Sequence, residues 1–233
     1  MSAVTLIAFG GPSSSGKTTA AKAVQLVLSH ASVLHLDDFY LPDELIPVDP
    51  ATGELNWDCP EAIDFPKFIA HIKRLKHEGI SLELHSIQPG VDMSLTQQQI
   101  QALADKADPF KDKPIVLVDG FMLFHDPALL ELFDVRLFFH APFETLKHRR
   151  ESRKGYNTVA GFWVDPPNYF ADVVWPAYLQ SHKYLFENGD ANAGVNHRVQ
   201  EQLRFSEFNN VDGTSLLELV DWSLDRIVDH FSS

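Results

Sequence analysis

The sequence lacks the residue patterns that build disulfides, common zinc sites and membrane spans. Cys59 is the only cysteine among 233 residues, which excludes an internal disulfide and a zinc site made of several cysteines. The eleven histidines form no His-x-x-x-His or His-Glu-x-x-His pair, so the helical histidine motifs of zinc enzymes are missing as well. No apolar run in the sequence approaches the roughly 20 residues that a membrane-spanning helix needs.

Positive charge is also scarce. Nineteen lysines and arginines stand against 32 aspartates and glutamates, which gives a formal net charge of −13. This balance argues against a nucleic-acid-binding surface, because phosphate backbones are bound by basic patches. It suits a cationic or neutral small molecule instead. The single cysteine fits a reducing compartment, and a strand is predicted within a few residues of Met1. We therefore expect a cytoplasmic or nuclear protein without signal peptide or membrane anchor.

A glycine-rich loop between an apolar strand and a helix is the most informative stretch of the chain. Residues 4–9 predict a buried strand and residues 19–28 a helix. The loop and first helical residues are Gly11, Pro12, Ser13, Ser14, Ser15, Gly16, Lys17, Thr18 and Thr19. They match Gly-x-x-x-x-Gly-Lys-[Ser/Thr], in which backbone N–H groups and a helix N-terminus surround phosphate oxygens. The pattern predicts that the phosphates of a nucleotide bind here.

Two side chains of this loop have predicted chemical roles. Lys17 supplies a positive charge to the terminal phosphates, and the Thr18 hydroxyl can ligate Mg²⁺. The same stretch fits Ser-x-x-Lys at Ser14 and Lys17, the pattern of a serine nucleophile. No Lys-Thr-Gly or Ser-Asp-Asn partner occurs in the sequence, so we reject that alternative.

Acidic residues follow two other predicted strands. The strand that starts at Ser32 ends in Asp37 and Asp38, and the strand 115–118 ends in Asp119. Ligands of parallel α/β sheets collect at the carboxyl ends of the strands, where such acids can reach a phosphate loop. The buried strand before Asp119 has the form of a Walker B element, whose acid lies near the metal. The alternative is that these acids are solvated or cap helices.

A second set of candidate residues is less decisive. Trp57 and Asp58 lie in the irregular connection 41–60, where they can bind a nucleoside by stacking and by ribose hydrogen bonds. Asp58 equally fits a capping box with Glu61 for a helix over 61–77, and both interpretations stay open. The predicted helix that begins at Pro142 carries a basic cluster. Such a cluster can bind the transferred phosphoryl group, and the alternative is that it forms a solvated helix face. The cluster consists of Arg149, Arg150 and Arg153.

The order of strands and helices predicts the fold class. We expect one α/β domain over 1–233 with the P-loop NTPase fold, a parallel sheet flanked by helices. A small helical lid is expected at about 144–178 and a flexible insert at about 187–204. The further predicted helices and strands lie at 95–107, 127–133, 134–140, 205–211 and 215–231.

Several motifs occur in one order along most of the chain. After the phosphate loop come Asp37-Asp38-Phe39-Tyr40, Asn56-Trp57-Asp58, Val118-Asp119-Gly120-Phe121, Arg149-Arg150-x-x-Arg153 and Pro167-x-Tyr169-Phe170-x-x-x-x-Trp175-Pro176-x-Tyr178. Together they resemble the nicotinamide riboside kinases, within the uridine-kinase-like group of P-loop kinases. The resemblance implies ATP- and Mg²⁺-dependent phosphorylation of the 5′-hydroxyl of nicotinamide riboside. A uridine or cytidine kinase, or another small-metabolite kinase of the same group, is the alternative. A nucleotide-dependent switch is a second alternative, although the guanine-binding tetrapeptide Asn-Lys-x-Asp is missing from the sequence.

The resemblance also implies roles for individual residues. Asp37 would be the base at the 5′-hydroxyl, with Lys17 as the second catalytic residue. The metal would be surrounded by Thr18, Asp37 and Asp119. ATP would be bound by the phosphate loop and by Arg149, Arg153 and Ser215. The substrate would be bound by Asp37, Asp38, Phe39, Tyr40, Trp57, Asp58, Arg150, Tyr156 and Asn157.

Overall fold

Five parallel strands form the central sheet of the computed structural model, which describes residues 4–28, 30–78, 94–158 and 161–232. These strands are β1 (Thr5–Gly10), β2 (Ser32–His35), β3 (Ile115–Gly120), β4 (Val135–His140) and β7 (Ser206–Asn209), and β5 (Tyr156–Thr158) with β6 (Gly161–Trp163) forms a separate antiparallel hairpin. The helices are α1 (Lys17–Val27), α2 (Phe65–Glu78), α3 (Gln97–Ala107), α4 (Pro127–Leu130), α5 (Phe143–Glu151), α6 (Trp175–His182), α7 (His197–Leu203) and α8 (Leu216–Ser232). The predicted α/β class is confirmed.

The strand order β2-β3-β1-β4-β7 places β1 in the middle of the sheet, between β3 and β4. Alternate residues of β1 therefore face opposite sides and join two separate hydrophobic clusters. Leu6 and Ala8 pack with residues of α2 and α6. Ile7 and Phe9 pack with residues of α1, α3 and α8. Because both faces of β1 are covered, a ligand can reach this central strand only at its carboxyl end.

The start of α2 corrects one expectation. Asp58 and Glu61 do not form the capping box of a helix over 61–77, because α2 begins at Phe65. The backbone carbonyl of Asp64 accepts from the N–H of Phe68 at 3.0 Å, and its side chain accepts from Lys67. Glu61 lies in a separate short 3₁₀ turn. Asp58 therefore does not cap this helix, and of the two interpretations only its role as a site residue remains.

Residues 187–204 contain more regular structure than the sequence predicts. Asn196 caps α7 by accepting from the N–H of Val199 at 3.1 Å. Ala191 and Val195 are buried in the same cluster as Leu6.

The predicted helix at 95–107 is confirmed as α3, with a capping box of Thr96 and Gln99. In the described part of the chain, no helix is long and apolar enough to cross a membrane.

Candidate active site

The loop between β1 and α1 has the backbone that a phosphate-binding loop requires. Gly11 has φ +142, and a Cβ at this position would lie 1.9 Å from the Phe139 carbonyl oxygen. Gly16 has φ +92 and precedes α1, so both glycines adopt conformations that other residues rarely take. The hydroxyl oxygens of Ser14 and Ser15 are buried without a hydrogen-bond partner. Buried donors of this kind need an acceptor, and phosphate oxygens would supply one.

Asn210, which the sequence analysis missed, supports this loop from behind. Its side-chain Nδ2 donates to the Ser15 carbonyl oxygen at 2.8 Å, and its backbone N–H donates to the His140 carbonyl at 2.7 Å. A Cβ on Gly16 would lie 2.4 Å from the same Nδ2 atom. The loop is therefore shaped by a residue 195 positions away in the sequence, which no local pattern could reveal.

The acids predicted at the strand ends meet Lys17. Burial and the Asp119 charge raise the pKa of Asp37 to about 6, while Lys17 acts in the opposite direction. Burial lowers the pKa of Lys17, although the charges of Asp119 and Asp37 oppose this shift. Burial alone would raise the pKa of Asp119, but a hydrogen bond from His35 and the Lys17 charge outweigh it and lower the pKa. The three predicted residues thus act on one another at the edge of the sheet.

The side chains at this edge fit a magnesium ion. Asp119 keeps one oxygen, Oδ1, buried and without a hydrogen-bond partner, while the Thr18 hydroxyl helps to lower the pKa of this carboxyl group. Hard oxygen ligands of this kind are those that Mg²⁺ prefers. In the part of the chain that the structure describes, no group of three or more His, Cys, Asp or Glu side chains could hold a metal ion by itself. Phosphate oxygens and water would complete the coordination here.

Asp58 and Arg150, both predicted to bind substrate, are paired with each other. Arg150 Nη1 donates to Asp58 Oδ1 at 2.8 Å, and Nη2 donates to Oδ2 at 3.1 Å. The same guanidinium donates to both oxygens of Asp165, at 2.7 and 3.2 Å. Arg150 and Asp58 are buried, so this is an ion cluster shielded from water. Asp165 is a further member that sequence reasoning missed.

Aromatic side chains surround this ion cluster. The Trp57 ring lies 5.4 Å from Tyr40 and 6.1 Å from Trp163, measured between ring centroids. Trp163 Nε1 donates to Asp165 Oδ1 at 2.9 Å, which joins the rings to the acids. Burial and the charges of Asp37 and Asp58 raise the pKa of Tyr40 well above its ordinary value. Tyr40 therefore lies within the fields of both Asp37 and the ion cluster.

The remaining predicted residues divide between the site and the supporting structure. Arg149 donates to the carbonyls of Asn210 and Val211 and to Asp212, which ties α5 to the loop before α8. The charge of Arg153 also lowers the pKa of Lys17. Its effect is smaller than that of burial and than the opposite effects of the Asp119 and Asp37 charges. Ser215 forms a capping box with Glu218 at the start of α8. ATP contacts for these three residues stay predictions.

Phe39 does not line the site through its side chain. Its ring is buried and lies edge-on to Phe68 at 5.2 Å, in the core beneath α2. Asp38 is partly buried beside Asp37 and adds to the raised pKa of that residue. Tyr156 and Asn157 belong to β5, and their side chains lie outside the described part of the structure. The structure brings Trp163, on the paired strand β6, to Trp57.

A parallel sheet whose first strand runs into such a loop, with acids at two neighbouring strand ends, is the architecture of P-loop kinases, and this chain is an ATP-dependent kinase of that class. The chain is 38% identical over 232 residues to the nicotinamide riboside kinase of Saccharomyces cerevisiae, covering 97% of this chain and 96% of the relative. The Schizosaccharomyces pombe enzyme of the same name is 32% identical, with 96% of each chain covered. Human nicotinamide riboside kinase 1 is 31% identical, with 75% of each chain covered. The chain belongs to the nicotinamide riboside kinase family. No protein-family model matches it.

Proposed function

We propose that this protein transfers the γ-phosphoryl group of ATP to the 5′-hydroxyl of nicotinamide riboside and so forms nicotinamide mononucleotide. The observation that carries the proposal is that the charge of Asp37 acts both on Lys17 of the phosphate loop and on Tyr40 beside Trp57. An acid in this position can orient an alcohol toward the terminal phosphate of a nucleotide bound by the loop. The relatives named above support the choice of alcohol.

The phosphate side of the site holds the nucleotide and the metal. Lys17 and the backbone of the loop bind the phosphates, and the buried hydroxyls of Ser14 and Ser15 add donors. Thr18, Asp37 and Asp119 are the residues that would hold Mg²⁺. When bound, the metal neutralises the charge of the β- and γ-phosphates. Asp37 then accepts the hydrogen bond of the 5′-hydroxyl and removes its proton as the phosphoryl group is transferred.

The nucleoside side of the site suits a cationic aromatic base. Trp57, Tyr40 and Trp163 offer ring faces and edges, and pyridinium cations are attracted to aromatic faces. Asp58 is held in place by Arg150, so its carboxylate is oriented before a ribose hydroxyl arrives. Both groups are buried, and a hydroxyl that joins them would find charge-assisted partners.

The proposed partners are therefore small molecules, and a nucleic-acid partner is not proposed. The net charge of −13 favours a cationic or neutral substrate over a polyanion. The reaction belongs to the salvage of pyridine nucleotides. We place it in the cytoplasm, where the free, buried Cys59 would stay reduced.

The activity is tested by a coupled kinase assay with nicotinamide riboside, uridine and pantothenate as acceptors. We expect the highest kcat/KM with nicotinamide riboside. A preference for uridine would overturn the substrate assignment in favour of a pyrimidine nucleoside kinase. Failure of all three acceptors despite ATP binding would favour the switch-like alternative.

The role of Asp37 is tested by Asp37→Asn, which keeps the size of the side chain and removes the base. We expect a loss in kcat of about 10²–10⁴-fold, the usual contribution of general-base catalysis, with ATP binding retained. Asp38→Asn is the matched control, because it removes the neighbouring carboxylate, which is predicted to bind substrate but not to act as the base. A variant Asp37→Asn that keeps more than a tenth of the wild-type kcat would refute the assignment.

A further inference from the structure

His35 is a buried histidine that the proposed reaction has not yet used. It is the last residue of β2, it is 3% exposed, and the β2–β3 pairing sets it directly beside Asp119. Its Nδ1 atom lies 2.9 Å from Asp119 Oδ2. An ionised carboxylate only accepts hydrogen bonds, so Nδ1 is the protonated nitrogen and donates. We propose that His35 is a positioning residue, which fixes the Asp119 carboxylate for the metal of Mg-ATP.

The two oxygens of Asp119 have different surroundings. Oδ2 is bound by His35, whereas Oδ1 is buried and accepts no hydrogen bond. A buried carboxylate oxygen without a partner is costly, so it is a position at which a cation would be favoured. Because the hydrogen bond holds Oδ2, the carboxylate cannot exchange its oxygens freely, and Oδ1 stays available. The inference rests on the proposed function, which brings Mg-ATP to this edge of the sheet.

The contact also restricts the Asp119 side chain. A rotation of Asp119 would break the hydrogen bond from His35 and move Oδ1 away from the metal position. His35 opposes such a rotation from a rigid platform, because its backbone is fixed by the parallel register of Ser32–His35 with Val116–Asp119. Partners that orient a ligating carboxylate typically change metal affinity or activity by about 10–100-fold when removed.

The test compares three substitutions at one position. His35→Asn keeps a donor at nearly the place of Nδ1, His35→Gln moves the donor one carbon further, and His35→Leu removes it. The dissociation constant of ATP is measured by calorimetry over a series of Mg²⁺ concentrations, alongside kcat and the KM for riboside. Added Mg²⁺ should tighten the binding of ATP. We expect the Mg²⁺ concentration that gives half of this effect to rise about 10–100-fold in His35→Leu. It should rise similarly in His35→Gln and little in His35→Asn, with the riboside KM unchanged.

A second buried histidine provides the control. His140 Nε2 lies 3.2 Å from Glu207 Oε2, so His140→Leu also removes a buried histidine beside an acid, at the end of β4. A merely structural effect would lower thermal stability in both leucine variants and leave the Mg²⁺ dependence of each unchanged. That result would overturn the proposal, as would a His35→Asn variant as impaired as His35→Gln. If His35→Leu does not fold, the Asn and Gln variants decide. Wild-type protein that does not bind ATP would instead refute the proposed function.

Discussion

His182 should make the folded protein sensitive to acid. It ends α6, it is completely buried, and burial lowers its pKa to about 3. Its Nδ1 atom lies 2.9 Å from Ser181 Oγ and 3.2 Å from the Tyr178 carbonyl oxygen, and its Nε2 atom is buried without a hydrogen-bond partner. A second proton would charge a ring that has no acid beside it among these contacts. The folded state therefore keeps His182 neutral through the mildly acidic range.

The size of the effect follows from proton linkage. An unfolded histidine has a pKa near 6.5, so between pH 6.5 and about 3 the unfolded chain binds a proton that the folded protein does not. The stabilising contribution is complete above pH 6.5 and is lost progressively as the pH falls from that value to about 3. For pKa values of 6.5 and about 3, the free energy of unfolding drops by about 2 kcal/mol at pH 5 relative to pH 8.

The measurement is urea unfolding at pH 8 and pH 5, followed by tryptophan fluorescence. His182→Phe keeps a ring stacked on Tyr178, where the present centroids are 4.6 Å apart, and removes the titrating group. We expect this variant to lose about 2 kcal/mol less than wild type between the two pH values. The exposed His230 supplies the control, since His230→Gln should leave the wild-type difference intact. Equal pH dependence of wild type and His182→Phe would refute the reasoning.

Two further substitutions test the loop and the ion cluster. Gly16→Ala places a Cβ 2.4 Å from Asn210 Nδ2, so we expect ATP affinity to fall at least about tenfold by calorimetry, a cost of ~1.4 kcal/mol. Gly53→Ala, at φ +78 with no atom within 4 Å, is the matched control and should bind ATP normally. Arg150→Met leaves Asp58 and Asp165 without their cation and should lower the free energy of unfolding by about 3–5 kcal/mol. Arg74→Met breaks an exposed pair with Glu78 and should cost less than about 1 kcal/mol in the same denaturation assay; equal losses would contradict the cluster's role.

The parts of the site that the sequence predicts are those encoded locally. The phosphate loop is a continuous motif between a strand and a helix, and both neighbours are where the pattern puts them. Asp119 is predicted because parallel strands place their carboxyl ends at one edge of a sheet, and Asp37 follows from the same rule. No single segment of the sequence determines the strand order. The prediction needs only that the carboxyl ends of β1, β2 and β3 lie together, and several strand orders satisfy this condition.

The parts that sequence reasoning left open or missed depend on contacts between distant residues. Asp58 is followed by Pro60 and Glu61 at the spacing typical of a helix start, so its local context supported two interpretations, a capping residue or a site residue. The decision came from Arg150, 92 positions away, whose guanidinium binds both of its carboxylate oxygens. His35 was invisible for the same reason, because a single histidine in an apolar strand carries no sign of the acid 84 positions further on.

The charges at the sheet edge explain why nucleotide and metal should stabilise each other's binding. Asp37 and Asp119 repel each other, and Lys17 is the cation that offsets them while itself being disfavoured by burial. A triphosphate alone would bring more negative charge to these acids, and a divalent cation alone would compete with Lys17 for them. In the proposed complex the cation would lie against the carboxylates and the phosphates against Lys17 and the loop, so every charge would gain an opposite partner. On this proposal the site would be better matched to the Mg-ATP pair than to either component, and the hydrogen bond from His35 would keep Asp119 in place until the pair binds.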